Sequence, residues 1–267
     1  MLDLSRAARF QLEAQTDKCI GKALAGRSGF PAPRNKTEAL GITLSTALPA
    51  GGDAWSPIVA RARAAVHLVG AFSFGAPFIE FMDANGAPQR CALADAMVVV
   101  DDLTGPVPDR RALLLSADIA TGISNAEAET QPARVEPYAD WLPFRLTNNR
   151  YSRQLRSLNG TDNIARGECR RHVTYDLQTC TTRCTPSDDR VSTDLGARTL
   201  GSVLAGMVLG KEGWKAVPGG ADDWSATVDE LLCATRGSTV AGLTLAVLTF
   251  GLGKPMLAST GLDTFFT

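Results

Sequence analysis

The sequence predicts an α/β protein built around one sizeable core. Three observations carry that expectation. Apolar residues recur at helical spacing early and late in the chain. Between them lie short β-branched and aromatic runs bounded by turn residues. Hydrophobic residues make up 45% of the 267 positions and charged residues 21%, a balance that supports packing rather than disorder. A chain of this length closes a core without disulfide or metal staples.

Taken in order, residues 1–25 read as a helix with Leu4, Phe10 and Leu12 among polar neighbours, followed by a Gly/Pro-rich linker over 26–33. A short apolar segment, 39–48, ends at Pro49-Ala-Gly-Gly52. Asp53 or Ser56 is placed to cap a helix over 55–69, with Pro57 in its first turn and Ile58, Val59, Ala62, Val66 and Val69 along one face. Residues 1–50 therefore read as a helical and extended lead-in, and 51–267 as a single domain.

The middle of the chain reads as a meander. Residues 78–82 form a strand, and Asp83-Ala-Asn-Gly-Ala-Pro88 a turn in which Gly86 supplies a positive φ. A second strand is expected over 90–100, a break at Gly105-Pro-Val-Pro108, and a third strand over 112–119. An irregular, Arg- and Cys-rich insertion occupies about 145–190. Helices follow over 195–209 and from the cap at Asp222-Asp-Trp-Ser225, and the apolar stretch 240–252 closes the core.

Composition narrows the function classes. The net charge of -1 does not suit non-specific wrapping of nucleic acid, so any such role rests on a local patch. The early charges at Asp3, Arg6 and Arg9 leave no signal-peptide apolar region, so a cytoplasmic location with reduced thiols for the six Cys is expected. The uncharged stretch between Arg236 and Lys254 is short for a membrane span and carries Gly and Thr, so no membrane partner is expected. No phosphate-binding Gly-rich loop or dinucleotide fingerprint occurs, and no nucleophilic Ser, His and Asp arrangement is readable.

Two constellations stand out. Cys91-Ala-Leu-Ala-Asp95-Ala-Met-Val-Val-Val100, followed by Ala112-Leu-Leu-Leu-Ser-Ala-Asp118, resembles the PD-(D/E)xK signature of the restriction-endonuclease-like nucleases. That resemblance implies a core of a helix and a mixed sheet, here with additional C-terminal helices. In the family, acidic residues on two adjacent strands hold Mg²⁺, and a Lys two residues beyond the second shares that face. Here Asp95 matches the first ligand, Ser116 falls at the second, Asp118 falls at the Lys, and Ala92 stands where relatives often carry Glu. Asp95 and Asp118, with Glu80 from the preceding strand, are the candidate catalytic carboxylates. The resemblance thus implies a nuclease-like protein that acts on or binds DNA or RNA, with its Mg²⁺ site weakened or lost.

Cys169-Arg-Arg-His172 and Cys180-Thr-Thr-Arg-Cys184 form the other constellation. Cys169, His172, Cys180 and Cys184 are four ligands of the type that holds structural Zn²⁺. They carry the alternative reading, a non-catalytic binding or assembly module with a protein partner or a second copy of itself. Between the two lies a run of Arg. Arg145, Arg150, Arg153, Arg156, Arg170 and Arg171 suit bidentate phosphate contacts and form the candidate nucleic-acid patch. Pairing with acidic segments such as Asp222-Asp223 accounts equally well for them.

Overall fold

The computed structural model describes residues 4–62, 66–73, 78–104, 106, 108–120, 142–147, 151–158, 169–186, 198–236, 243–250 and 258–260. It is mixed α/β, with helices packed on a mixed sheet. The helices are α1 (Arg6–Leu24), α2 (Lys36–Ile42), α3 (Leu48–Arg61), α4 (Leu200–Val208) and α5 (Asp223–Arg236), and a π-helical turn, Thr43–Ala47, joins α2 to α3. The strands are β1 (Val66–Ser73), β2 (Phe78–Met82), β3 (Pro88–Ala92), β4 (Ala96–Asp102), β5 (Asp109–Ile119), β6 (Phe144–Leu146), β7 (Arg170–Asp176), β8 (Thr181–Pro186), β9 (Trp214–Lys215), β10 (Leu243–Phe250) and β11 (Ala258–Thr260).

The large sheet runs β11-β10-β1-β4-β5-β7-β8, with β9 pairing the first half of β5. All pairs are antiparallel except β5 and β7. Parallel strands require a long crossover, and residues 120–169 supply it. Their segment β6 leaves the large sheet and joins a small one, β3-β2-β6.

Side-chain alternation on β4 and β5 divides the interior into two layers. Val98, Val100, Leu113, Leu115 and Ala117 face α1, α2, α3 and α4, whose Leu12, Ile20, Leu40, Trp55 and Leu204 fill the first cluster. Met97, Val99, Ala112 and Leu114 face the other way, onto the small sheet and α5 through Ile79, Phe81, Phe144, Trp224 and Val228. Strand β4 is buried along its whole length, as a central strand covered on both faces must be.

The helical layer is tied together by side-chain to backbone bonds. The Trp55 indole N–H donates to the Leu12 carbonyl at 3.1 Å, fixing α3 on α1. Asp17 of α1 caps α4 in trans. Its carboxylate accepts from the Gly201 N–H at 3.1 Å and from the Thr199 hydroxyl at 2.7 Å. An anion at a helix N-terminus is favourable, although burial pushes the Asp17 carboxyl above its usual range. A Cβ at Gly201 would lie 2.5 Å from Asp17 Oδ1 and 2.9 Å from the Glu13 carbonyl oxygen, so only glycine allows α1 and α4 this close.

On the opposite layer, Arg110 of β5 is sandwiched between acids. It donates to Asp101 of β4 at 2.6 and 3.1 Å and to Asp229 of α5 at 2.7 Å. This anchors α5 to the sheet.

Several expectations are corrected. The helix expected over 55–69 ends at Arg61, and Val66 to Ser73, His67 included, belongs to β1. The helix also starts earlier, because Pro49 stands in its first turn, where a missing N–H is harmless. The strand expected over 90–100 is two strands in different sheets, split at residues 93–95, so 78–82 is no member of the β4–β5 meander. Within the first fifty residues, Leu12, Ile20, Leu24, Leu40 and Leu48 pack into the helical layer of the first cluster. Among the described residues no helix is long and apolar enough to cross a membrane.

The Arg110 triad generates a test. Removing the guanidinium takes its charge and hydrogen bonds from two carboxylates, the buried Asp101 and the partly buried Asp229. Arg110→Ala is therefore expected to lower unfolding free energy by about 3 kcal/mol, read by urea titration. A loss within error of zero would show that the Arg110 triad contributes nothing to holding α5.

Candidate functional site

Asp95 stands at the break between the two sheets, just before β4. Its own N–H donates to the Leu115 carbonyl at 2.9 Å, which extends the β4–β5 ladder by one bond. Its Oδ2 accepts from the Ala117 N–H at 2.8 Å. Its Oδ1 lies 3.5 Å from Lys36 Nζ, with both side chains less than a third exposed.

Lys36 is the first residue of α2, and its position follows from local capping. The Asn35 side chain accepts from the Glu38 N–H at 2.9 Å, and the Glu38 carboxylate accepts from the Asn35 amide at 3.0 Å and the Arg34 N–H at 2.8 Å. This reciprocal arrangement fixes where the helix starts. The Arg34 side chain also bonds Glu38 and holds its carboxyl below the usual range. Tyr175 of β7, fully buried in the first cluster, lies on the same side of the sheet. Burial raises its phenol well above the usual range, and the Asp95 charge adds to that rise.

Ser116 and Asp118 alternate with Leu115 and Ala117, so they project from the opposite face of β5. There Ser116 is buried, and its Oγ accepts two bonds from the Arg170 guanidinium, at 2.7 and 3.2 Å. Asp118 is about half exposed and pairs with His172, Oδ2 to Nε2 at 3.4 Å. Glu80 lies on β2 in the small sheet, exposed, with Arg90 and Arg145 as its cross-strand neighbours.

The three candidate carboxylates are therefore not brought together. Among the described residues no three His, Cys, Asp or Glu side chains form a metal-holding group. A hard divalent cation needs several oxygens at close range. Asp95 offers a carboxylate already engaged by an N–H and an ammonium, and Ser116 faces a guanidinium. This donor set does not fit Mg²⁺.

The Cys/His constellation is likewise spread out. Cys169 is buried in the cluster beneath the small sheet, whereas Cys184 is buried in the helical cluster. Cys180 sits in the β7–β8 turn at φ 55, its Sγ bonded to the Leu177 carbonyl. His172 turns to Asp118. A tetrahedral site requires all four on one side of the hairpin. Burial pushes the Cys184 thiol far above its usual range.

Of the Arg run, Arg150 lies outside the described residues. Arg156 is buried, donating to Thr227 at 2.9 Å and pairing with Glu230 of α5. Arg170 is buried on Ser116, and Arg171 pairs with Glu212 at 2.6 Å. Arg145 and Arg153 are exposed. The internal pairing expected with acidic residues thus holds for Arg156 and Arg171, through Glu230 and Glu212 rather than through Asp222-Asp223.

The chain matches no family model, no curated protein and no solved structure. Lys36 is the site residue that sequence reasoning passes over. It is 59 positions from Asp95, and the only local signal is the Asn35-x-x-Glu38 capping pattern, which locates a helix start but not what faces it. Ser116, Asp118, Arg170 and His172 also come together only through the parallel β5–β7 pairing.

Asp95→Ala strands the Ala117 N–H and is expected to cost about 2 kcal/mol. Lys36→Ala, a partly exposed ion pair, is expected to cost under about 1 kcal/mol. Chemical denaturation of both variants checks this order. Thiol labelling of the native protein should modify exposed Cys233 and spare Cys169 and Cys184 until unfolding. Rapid native labelling of either buried thiol would contradict the packing described.

Proposed function

We propose that this chain is a restriction-endonuclease-like protein that binds nucleic acid without hydrolysing it. The architecture supports the first half. Asp95 precedes one central strand, and Ser116 and Asp118 lie on its antiparallel neighbour, the adjacent-strand placement that the sequence motif requires. An antiparallel series β1-β4-β5 and a parallel β7 form the mixed sheet, on which the helices pack.

One observation carries the second half. The positions that would hold the cation are occupied by the chain's own positive groups, Lys36 on Asp95 and Arg170 on Ser116. A positive charge already seated beside the Asp95 and Ser116 oxygens repels a divalent ion and satisfies the group that would bind it. Nucleic-acid binding then rests on exposed Arg145 and Arg153, together with Arg90, which lies on the same small sheet with its guanidinium 4.5 Å above the Phe78 ring.

The test is a cleavage assay on plasmid, single-stranded DNA and RNA with Mg²⁺ or Mn²⁺, run beside a binding assay. No cleavage is expected from wild type or Asp95→Ala. Binding should weaken with salt and fall several-fold in Arg90→Ala/Arg145→Ala. Cleavage lost in Asp95→Ala would overturn the non-hydrolytic reading, and salt-independent or absent binding would overturn the nucleic-acid reading.

A further inference from the structure

Strand β2 alternates between the buried Ile79 and Phe81 and the outward Phe78, Glu80 and Met82. Register completes the outer face of the small sheet. Arg90 on β3 and Arg145 on β6 flank Glu80, and both are exposed. Phe144 pairs with Arg156 in an antiparallel bridge, and both side chains are buried. Leu155, one residue before Arg156, is therefore turned outward beside Arg145. Met82 and Leu155 are each more than half exposed. Adjacent strands lie about 4.8 Å apart, so the row Arg90, Glu80, Arg145 and Leu155 spans about 15 Å.

That width and that mixture decide the form of the ligand. The row is wider than the major groove of a duplex, about 12 Å, so the face cannot enter it. The outside of a duplex is phosphate and sugar, which offers nothing to exposed Met82 and Leu155. An unpaired base offers a bare π face, which stacks on aromatic rings and on guanidinium planes. The Arg90 guanidinium lies 4.5 Å from the centre of the Phe78 ring. That contact holds the cation over the sheet and leaves its far side for a base. The Met82 thioether is a second soft, polarisable contact. Glu80, in the middle of the row, keeps phosphates off the centre and accepts from base N–H groups. Arg145 is placed to take a backbone phosphate.

We propose, on the nucleic-acid reading of this same surface, that the outer face of the small sheet takes a single strand. Bases lie over the Arg90–Phe78 pair and Met82, and Arg145 holds a phosphate between them. Single-stranded DNA and RNA offer the same unpaired bases, so they form separate arms of the test.

The test is fluorescence anisotropy with one short labelled sequence, presented as DNA, as RNA and annealed into a duplex. At least one single strand is expected to bind roughly tenfold tighter than the duplex. Phe78→Leu keeps the apolar bulk but loses the ring. It should weaken single-strand binding about fivefold or more and leave duplex binding unchanged, whereas Phe78→Tyr should bind as wild type does. Met82→Ser, at an exposed position, should weaken single-strand binding a few-fold and keep the wild-type melting temperature. Equal binding of single strand and duplex, or wild-type binding by both Phe78→Leu and Met82→Ser, would overturn the single-strand proposal and leave the nucleic-acid reading standing. No salt-dependent binding in any arm would overturn both. A dimer that Leu155→Arg dissolves would assign the face to a second copy of the chain and overturn the proposal.

Discussion

The pairing of β4 with β5 is the constraint on which the rest of the molecule depends. Seven residues of β4 are buried without interruption, so every polar backbone group there must be met by a neighbouring strand. β5 meets them on one side and β1 on the other. At one end of the pair, Asp101 and Arg110 face each other in register and reach α5 through Asp229. At the other end, Asp95 reaches across to the Ala117 N–H. The two cores, the anchoring of α5 and the geometry of the candidate site follow from one ladder.

Local chemistry made much of this legible. The Asp83–Gly86 turn was readable because Asn85-Gly86 demands a positive φ, and Gly86 has φ +76 with Asp83 accepting from the Asn85 and Ala87 N–H groups. The cap of α5 was readable in Asp222, which accepts from the Ser225 N–H at 2.8 Å. β1 was not readable, because Val66 and Val69 satisfy a helical face as well as a strand and no Gly or Pro marks the boundary at Arg61. Nor was the split at residues 93–95, where apolar residues continue on both sides and only tertiary pairing decides which sheet each half joins.

The site divides along the same line. Asp95 could be picked out because its motif is contiguous, but its partner could not, since pairing across 59 residues leaves no local trace. The Arg-rich stretch shows the limit of composition. Arg156, Arg170 and Arg171 look like a phosphate-binding run when written in a line. In three dimensions each is drawn to a different interior partner, Glu230, Ser116 and Glu212 respectively. Burying a guanidinium away from such a partner would cost far more than its hydrogen bonds return.

Strand β10 has a consequence for how the chain is made. It pairs with all eight residues of β1, although some 170 positions of sequence separate them. During synthesis, β1, β4 and β5 emerge long before residues 243–250. Until those residues arrive, one side of β1 is an open sheet edge, a template for pairing with another nascent chain. Ribosome-bound fragments that stop short of β10 should therefore be the aggregation-prone species. The late strand acts as the clasp that ends this exposure.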